Sequence, residues 1–455
     1  MKAINNFVWG PVMLVLLMGT GIFLTVRLKF LPWRNLPYAL KMVFAKDKNP
    51  KHEGDISGFQ SLMTALAATI GTGNIVGVST AMVLGGPGAF LWMWISALFG
   101  LSTKYAESVL AVKYRETNEN GEMCGGPMYA MKNGFKIKWI GLTLAFLFSV
   151  FTVFASFGIG NMTQANSIAE SLKNLFQIPS VVTGTVVALL ALAILIGGIK
   201  SIGKVCGFFV PKMAVFYFVM GLVVIFINRA NLGHGIYMIV KMGLSPRAMA
   251  GGVGGTIICN MLSASRWGIA RGIFSNEAGL GSAPIVAAAA RTDHASRQGY
   301  INMTGTFFDT LVVCSVTGLV VASSGVLGTV GADGKLVTGA ALTIMAFEKA
   351  LGSAGELIVG LGIMMFAFST IIGWEYYGEK GMEYLVNKKW VIIIYRIVYC
   401  GIVFVGANIE LTKVWNFSDT MNGLMAIPNL ICLLVLHKDV VKECFDFERI
   451  KKGSE

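Results

Sequence analysis

Long apolar segments alternate with short polar segments along the whole chain. The apolar runs cover residues 8–26, 59–85, 88–112, 139–170, 180–198, 205–228, 250–290, 299–325, 354–378, 390–407 and 412–436. A helix needs about 20 apolar residues to cross a bilayer, whereas the strands of a transmembrane barrel are about ten residues long and alternate in polarity. The pattern therefore predicts an all-α integral membrane protein with about 11 transmembrane helices.

The composition supports a chain that lies largely in lipid. Of its 455 residues, 55% are hydrophobic and 13% are charged. Soluble domains carry roughly 25% charged residues because their surfaces face water. The net charge of +13 does not indicate a nucleic-acid partner, because no basic soluble module lies between the apolar runs. We therefore expect contact with the lipid bilayer and no binding of nucleic acid.

Lysine and arginine are unequally distributed between the polar segments. Positively charged short loops stay on the cytoplasmic side of a membrane. If the segment after the first run lies inside, the inside segments hold 24 Lys and Arg residues and the outside segments hold 8. This predicts a multi-pass protein of the cell membrane with its N-terminus outside and its C-terminus in the cytoplasm. The first run is followed directly by basic residues, so we interpret it as a retained anchor.

The runs divide the chain into four parts. Residues 1–58 are expected to form an N-terminal transmembrane helix and a basic cytoplasmic segment, of which 36–47 has the pattern of an amphipathic surface helix. Residues 59–228 and 229–436 hold five runs each, and residues 437–455 form a cytoplasmic tail. Because an odd number of spans separates equivalent positions, the two sets of five are predicted to be inverted repeats, as in many secondary transporters.

Two runs are not typical of continuous helices. The second contains Gly71 and Gly73 near its middle, and the seventh is about forty residues long with several glycines in 272–281. Glycine costs about 1 kcal/mol relative to alanine inside a helix, and unwound backbone at membrane depth must line a cavity or be buried in protein. Small-residue packing faces are the alternative explanation. Since each run is the first of its set of five, we predict two discontinuous helices that meet at a binding site.

Several motifs carry a family resemblance. Residues 85–100 (GGPGAFLWMWISALFG) are similar to the signature of the alanine or glycine:cation symporters, also called the sodium:alanine symporter family. The resemblance extends to residues 71–74 (GTGN), 125–129 (GGPMY) and 274–281 (FSNEAGLG). It implies a leucine-transporter-like fold and uptake of alanine or glycine driven by Na⁺ as the coupling ion, with no other cofactor.

An amino-acid zwitterion in a low-dielectric site needs a partner of opposite polarity at each end. Free N–H groups after the first break suit its carboxylate, and carbonyls at the second break suit its ammonium group. The fourth run supplies a polar side chain, and two aromatic residues can wall a small pocket. The substrate-binding candidates are Thr72, Gly73, Asn74, Gln164, Phe274, Ser275, Asn276 and Trp374. Helix–helix hydrogen bonding and ordinary packing are the alternative roles of Gln164 and of the aromatic residues.

Sodium prefers a cage of carbonyl and hydroxyl oxygens. The adjacent hydroxyls of Ser369 and Thr370 in the ninth run suit that cage, although such hydroxyls also bond to their own backbone. By similarity to the common sodium site of this fold, backbone carbonyls near Ala67 and Ile70 would complete it. A second cation beside the substrate carboxylate would use Asn74, with Thr72 as a further candidate ligand.

Ionisable residues inside apolar runs are functional candidates by default. Asp309 has no obvious basic partner in its run and is a candidate for coupling or gating, with a salt bridge to a distant residue as the alternative. Glu277 can balance the substrate ammonium, pair with Arg271 or hold the second break shut. Lys104 and Glu107 are three residues apart, and we interpret them as a local helical pair or a topological anchor.

Other classes of protein fit the sequence less well. A proton-coupled amino-acid transporter on the same scaffold is the main alternative, with Asp309 or Glu277 as the proton carrier. An enzyme or an ATP-driven pump is not expected, because no His-Glu-x-x-His motif occurs and the glycine-containing segment 198–204 is followed by Val205 where a phosphate loop requires Ser or Thr. A channel would need a continuous polar pore rather than polar groups that converge at mid-membrane.

Overall fold

Helices make up most of the chain, in agreement with the predicted all-α class. The computed structural model describes residues 8–45, 52–246, 248–252, 255–409 and 412–453, without the side chains of 248–259 and 412–416. The helices before the second set of runs are Pro11–Arg27, Leu31–Arg34, Leu36–Val43, Gly58–Thr69, Val78–Leu84, Ala89–Lys113, Pro127–Gly134, Lys138–Phe157, Thr163–Phe176, Ser180–Leu195, Gly198–Ile227 and Arg229–Leu244. Those that follow are Met261–Asn276, Ala283–Ala287, Ala295–Thr306, Ser315–Ser324, Gly339–Leu351, Ser353–Leu385, Lys389–Asn408, Thr412–Val435 and His437–Gly453.

Non-α structure is short and occurs at a few points of the described chain. The π-helical segments Gly73–Gly77, Gly158–Met162 and Phe307–Cys314 interrupt long helices, and such segments are frequent at functional sites. The antiparallel hairpins are Glu116–Thr117 with Met123–Cys124 and Ala248–Gly252 with Gly255–Cys259.

The second hairpin corrects one expectation from the sequence. The seventh apolar run was expected to be a helical span from residue 250, but the helix begins at Met261. In the hairpin, Ala248 pairs with Cys259 and Gly252 pairs with Gly255. Four glycines lie in residues 248–259 and disfavour a helix there, whereas the β-branched residues at 256–258 favour a strand.

The lengths and the apolar composition of the helices indicate a multi-pass membrane protein. Within the described residues, six segments are long and apolar enough to span: Lys138–Phe176, Gly198–Ile227, Ala295–Ser324, Ser353–Leu385, Lys389–Asn408 and Phe417–Val435. A bent pair, Gly58–Thr69 with Gly73–Leu84, makes a seventh, and Pro11–Arg27 and Ser180–Leu195 are shorter apolar helices. The count of about 11 spans and the inverted relation of the two sets of five stay predictions.

Apolar side chains face outward on the peripheral helices. Ile196 is 67% exposed and Phe226 is 65% exposed, and Leu189 and Ile397 are also largely exposed. Soluble monomers rarely expose large contiguous apolar patches, so these faces are suited to contact with hydrocarbon. The interior helix Ser353–Leu385, by contrast, buries most of its residues, polar ones included.

The first broken helix comprises residues 58–84. It begins with a capping box in which Ser57 accepts from the backbone of Gln60 and the side chain of Gln60 accepts from Ser57. Its α-helix ends at Thr69, and a π-helical turn starts at Gly73. The two halves differ in direction by 54°. The predicted discontinuity of this run is therefore present.

The second broken helix comprises residues 261–287. Its α-helix ends at Asn276, and a short helix resumes at Ala283. Between them, Glu277 adopts the left-handed conformation with φ 57°, and Gly279 and Gly281 have φ of 96° and 85°. Residues other than glycine rarely adopt such φ angles, so the two glycines permit the break. The discontinuity predicted for this run is present as well.

Candidate functional site

A small cavity lies between the two broken helices. Its volume is about 20 Å³, which is room for about one water molecule. Six of the sequence-predicted site residues line it together with Glu277, and five further residues complete the wall. The predicted members are Thr72, Gly73, Gln164, Phe274, Thr370 and Trp374, and the others are Ala68, Thr69, Gly71, Ile159 and Asn422. We call it the central cavity.

Two side-chain oxygens of the central cavity have no hydrogen-bond partner among the described residues. Gln164 donates through Nε2 to the carbonyl of Ile159 at 3.0 Å, which leaves its Oε1 buried and unpartnered. The Oδ1 of Asn422 is also buried and unpartnered. Buried acceptors without donors are unfavourable, so both oxygens suit a ligand that brings N–H donors.

Asn422 is not among the residues predicted from the sequence. It lies in the last apolar run, where Ser418, Asp419 and Thr420 also interrupt the hydrophobic pattern. This concentration of polar residues was a signal comparable to the one that singled out Gln164.

Two aromatic side chains form walls of the central cavity. Trp374 is 2% exposed, and its ring meets that of Tyr377 edge-on with 5.5 Å between centroids. Gly160 lies directly against Trp374, where a Cβ would collide with that side chain. The ring of Phe274 lies 3.5 Å from the position of a Cβ on Gly73. Gly160 thus allows Trp374 to approach the cavity closely, whereas a Cβ at Gly73 would make ordinary contact with Phe274.

The predicted hydroxyl pair lies against the first broken helix. Ser369 Oγ and Thr370 Oγ1 donate to the carbonyl of Ala67 at 3.3 and 3.1 Å, and each also contacts the carbonyl of Phe366. Ile70 ends the same helix, and its N–H donates to the Leu66 carbonyl at 2.7 Å. Two of the four predicted sodium ligands, the hydroxyls, are therefore within hydrogen-bond distance of a third, the Ala67 carbonyl, and a hydroxyl–carbonyl group of this kind suits a hard cation.

Asp309 joins the two broken helices. Asn74 of the first donates through Nδ2 to its Oδ1 at 2.7 Å, and Ser275 of the second donates to its Oδ2 at 2.8 Å. Thr310 also donates to Oδ2 at 2.8 Å. Asn74 accepts the N–H of Gly71 through its Oδ1 at 3.0 Å. Asn74 and Ser275 are thus directed to Asp309 and do not line the central cavity.

Asn276 stabilises the second break through two hydrogen bonds of its side chain. Its side chain donates to Thr310 Oγ1 at 3.0 Å and accepts the N–H of Ala278 at 3.0 Å. Glu277, next to it, accepts a hydrogen bond from Ser282 Oγ at 2.5 Å across the break. No ion pair joins Glu277 to Arg271 in the described structure. Of the roles considered for Glu277, the hydrogen bond to Ser282 supports that of holding the second break. Glu277 also lines the central cavity, so contact with the substrate ammonium group stays a prediction.

Lys104 and Glu107 do not form the expected local pair. Both are buried, and each binds backbone that the second break exposes. Lys104 Nζ donates to the carbonyl of Asn276 at 2.6 Å, while Glu107 Oε1 accepts the N–H of Gly279 at 3.0 Å and Asn429 Nδ2 at 2.7 Å. The expectation was wrong because an unwound segment offers unpaired N–H and C=O groups, which bind these charged groups.

The segments that flank the two broken helices are joined by hydrogen bonds. Arg115 donates through Nη1 to the carbonyls of Ala288 and Ala290 at 3.0 and 2.8 Å, and through Nη2 to that of Glu53 at 3.0 Å. The N–H of Asp55 donates to the Ala289 carbonyl at 2.8 Å. Burial raises the pKa of the Asp55 carboxyl above its ordinary value. We call this group of contacts the Arg115 clamp.

Taken together, these features are those of one class, the multi-pass membrane transporters with a cavity between two broken helices. The comparisons with known proteins identify the group within that class. The chain belongs to the sodium:alanine symporter family, whose model matches residues 1–455. It is therefore a cation-coupled amino-acid transporter and not an enzyme.

Individual relatives cover nearly the whole chain. The sodium/alanine symporter AgcS of Methanococcus maripaludis is 52% identical over 452 residues, which are 99% of this chain and 97% of that protein. The probable sodium/glutamine symporter GlnT of Bacillus subtilis is 36% identical and covers 99% of this chain and 90% of its own length. The crystal structure of MhsT in complex with L-phenylalanine matches with a TM-score of 0.59 at 12% identity, over 86% of this chain and 92% of MhsT. That similarity supports the leucine-transporter-like fold alone.

Proposed function

We propose that the protein is a symporter of the cell membrane that imports alanine or glycine together with Na⁺ by alternating access. The observation that carries this proposal is the central cavity, which lies where two broken helices meet and measures about 20 Å³. A hydrophobic pocket distinguishes substrates that differ by one methylene only through lack of space. A cavity with room for about one water molecule must widen to admit any substrate, and the smallest amino acids require the least widening. The 52% identity to a protein named sodium/alanine symporter agrees with this substrate class.

The walls of the central cavity suit the two ends of an amino acid. The unwound turn at Thr72 and Gly73 precedes a half-helix, whose free N–H groups and dipole favour a carboxylate. The unpartnered oxygens of Gln164 and Asn422 suit the ammonium group, which has three N–H donors. Phe274 and Trp374 enclose the side chain. Ser275 and Asn276 act indirectly in this proposal, because they hold the second break in place.

The coupling sodium ion is proposed to bind at the hydroxyl pair. Ser369 and Thr370 would present oxygen lone pairs to Na⁺ beside the carbonyls of Ala67 and Ile70. These groups connect the helix Ser353–Leu385 to the first broken helix, so an ion bound between them would stabilise that arrangement. Sodium binding would thereby favour the conformation in which the central cavity is complete.

A second cation is proposed to bind at Asp309. Its carboxylate is fully buried and contacts both broken helices through Asn74 and Ser275. The carboxylate and the hydroxyl oxygens of Ser275 and Thr310 beside it are hard ligands that suit Na⁺. A cation here would be close to the start of the half-helix proposed to bind the substrate carboxylate, which links ion binding to substrate binding.

The proposed orientation follows from the distribution of basic residues. With the N-terminus outside, the Arg115 clamp lies on the cytoplasmic side and closes the site inward. Rocking of the two broken helices relative to the surrounding helices would have to release this clamp before the substrate can leave. One broken helix belongs to each set of five, 59–228 and 229–436, so both sets contribute to the moving part in this proposal.

The test is uptake of labelled alanine and glycine by proteoliposomes that contain the pure protein. An inward sodium gradient should drive accumulation, and a negative internal potential should increase it. A proton-coupled carrier is the second candidate, because a 33%-identical relative is named putative sodium/proton-dependent alanine carrier protein YrbD of Bacillus subtilis. Uptake that follows a pH gradient without sodium would favour that candidate and contradict sodium coupling. Trp374→Ala should impair uptake, whereas Trp139→Ala, at an exposed position, should not.

A further inference from the structure

A pocket lies between the end of the first helix and the C-terminal helix His437–Gly453. Its volume is about 350 Å³, and it is lined by Lys29, Phe445, Glu448, Arg449 and Lys452. We call it the Lys29 pocket. The four residues from the C-terminal helix are spaced i, i+3, i+4 and i+7, so they lie on one face of that helix. Three of the lining side chains are basic and one is acidic, which gives the pocket an excess of positive charge.

The basic side chains of the Lys29 pocket are not neutralised by the protein. In the part of the chain that the structure describes, Lys29 and Lys452 form no ion pair. Arg449 Nη1 lies 3.6 Å from Asp446 Oδ1, but both side chains are exposed, and exposed pairs of this kind contribute little to stability. The Lys29 amine lies 5.3 Å from the ring centre of Phe445, which places its charge against the C-terminal helix.

The acidic residue of the pocket is held by other parts of the protein. Glu448 Oε1 accepts hydrogen bonds from Tyr300 Oη at 2.9 Å and from Asn35 Nδ2 at 2.8 Å. The basic groups are therefore the ones available to a ligand, and that ligand is an anion. A planar guanidinium flanked by two amines matches the oxygens of a phosphate group.

The chain enters the pocket through a strained turn. Lys29 and Phe30 have φ of 52° and 59°, and L residues other than glycine rarely adopt this left-handed conformation. Such strain persists only where the surrounding structure holds it, and it is frequent at functional sites. The turn directs Lys29 to the C-terminal helix and brings the ring of Phe30 within 5.5 Å of that of Trp33. Aromatic residues of this kind are enriched at the membrane–water interface.

The pocket lies at the level where two apolar helices end. The helix Pro11–Arg27 ends two residues before Lys29, and the C-terminal helix begins two residues after the span Phe417–Val435. The rings of Phe23 and His437 meet edge-on with 5.1 Å between centroids, so the two ends are adjacent. The pocket is therefore at the depth of the lipid headgroups, on the side of the membrane where the C-terminal helix lies.

Exposed apolar side chains continue from the pocket along the first helix. Ile22 is 43% exposed, Val26 is 57% exposed, and Phe30 at the turn is 43% exposed. A free phosphate ion would gain nothing from this surface. The acyl chains of a phospholipid would cover it while the phosphate group occupies the pocket, so the surroundings favour a lipid over a soluble anion.

We propose that the Lys29 pocket binds the headgroup phosphate of an anionic phospholipid, with Lys29, Arg449 and Lys452 as its donors and the first helix as the surface for its acyl chains. Basic residues next to a membrane span attract anionic lipids. The bound lipid connects the first helix to the C-terminal helix and stabilises their contact. The inference depends neither on the transported substrate nor on the coupling ion.

The test counts lipids bound to the full-length protein by native mass spectrometry. Phosphatidylglycerol is the anionic probe and phosphatidylcholine is the neutral one. The wild type should bind one phosphatidylglycerol per chain more tightly than phosphatidylcholine. The triple variant Lys29→Gln, Arg449→Gln, Lys452→Gln should bind it about 100-fold more weakly, because each basic residue contributes about fivefold. Equal affinities of the wild type for the two lipids would overturn the inference. Displacement of phosphatidylglycerol by an excess of inorganic phosphate would do so as well, because it would indicate a soluble ligand.

The triple variant Lys41→Gln, Lys438→Gln, Lys442→Gln is the matched control. These lysines are exposed and do not line the pocket, and their replacement changes the net charge by the same amount. The control should bind phosphatidylglycerol as the wild type does. Equal weakening in the two triple variants would overturn the inference, because the attraction would then depend on net charge rather than on the pocket.

A single substitution keeps the test decisive if the triple variant folds poorly. Lys452→Gln changes one exposed residue in the last turn of the C-terminal helix. A ligand that binds only the folded protein raises its thermal midpoint. Phosphatidylglycerol should therefore raise the midpoint less in Lys452→Gln than in the wild type or in Lys438→Gln. An equal rise in all three proteins would contradict the assignment of the pocket.

Discussion

Gly71→Ala tests whether the hydroxyl pair and the central cavity belong to one site. A Cβ added at Gly71 would lie 2.6 Å from Thr370 Oγ1 and 3.6 Å from Gln164 Oε1. The first distance is about 0.8 Å short of ordinary van der Waals contact, which begins near 3.4 Å. The threonine side chain or the break itself must therefore move.

The cost can be worked from the contacts of Thr370. If its hydroxyl turns away, the buried carbonyl of Ala67 keeps its contact with Ser369 but loses the donor at 3.1 Å, and the loss of one hydrogen bond costs about 0.5–1.5 kcal/mol. If the hydroxyl is a sodium ligand, a loss of this size corresponds to an increase of about 2- to 10-fold in the half-saturating sodium concentration. We expect alanine uptake at low sodium to fall most.

Gly77→Ala is the matched control for this substitution. Gly77 lies in the same broken helix, and a Cβ there would meet nothing within 4 Å. Replacing glycine by alanine in a helical segment stabilises it by roughly 0.5–1 kcal/mol, so this variant should fold and transport normally. The assay is initial uptake of labelled alanine by proteoliposomes over a range of external sodium concentrations, with gel filtration to verify folding. Half-saturating sodium concentrations that agree within twofold between the two variants would refute the reasoning.

Three further substitutions test other contacts of the site. Gln164→Leu removes the unpartnered Oε1 and should weaken alanine binding by about tenfold with little change in thermal stability; unchanged affinity in equilibrium dialysis would contradict its proposed contact with the ammonium group. Asp309→Asn keeps the shape of the side chain but removes its charge, so fewer sodium ions should enter per alanine in a dual-label flux measurement. An unchanged ratio of sodium to alanine would rule out a cation at Asp309. Arg115→Met removes three hydrogen bonds of the Arg115 clamp, so a labelling reagent added from the cytoplasmic side should react faster with a cysteine introduced at Thr69. The control is Arg297→Met, because the described ion pair of Arg297 is with Asp293 alone. Equal labelling rates in the two variants would show that the clamp does not close the site.

The breaks could be predicted from the sequence because their cause is local. Glycine is a poor helix former, and unwound backbone in a membrane must be buried or line a cavity. These two facts were sufficient to locate both discontinuities, at 70–72 and at 277–282. The hydroxyl pair was found for a similar reason, since Ser369 and Thr370 are adjacent and the family resemblance supplied their partner Ala67.

Features that depend on contacts between distant segments could not be predicted in this way. Lys104 and Glu107 look like a helical pair by spacing, and only the fold shows that they bind backbone more than 170 residues away. The size of the central cavity depends on how closely Trp374 approaches Gly160 across two helices. Asp419 of the last run lines a pocket together with Arg271, and this depends on how the last run packs beside the second broken helix.

The charges around the second break give a reason for cation coupling that no single residue supplies. Three carboxyl groups are buried there, on Glu107, Glu277 and Asp309, whereas Lys104 is the one amine among their charged neighbours in the described structure. Hydrogen bonds from Asn74, Ser275, Ser282 and Asn429 stabilise these groups without neutralising them. An excess of buried negative charge is costly unless cations or protons accompany it. The substrate cannot supply the balance, because a zwitterion carries no net charge. A bound cation would therefore stabilise the two breaks in the arrangement that forms the central cavity, and this dependence is the physical basis proposed for coupled transport.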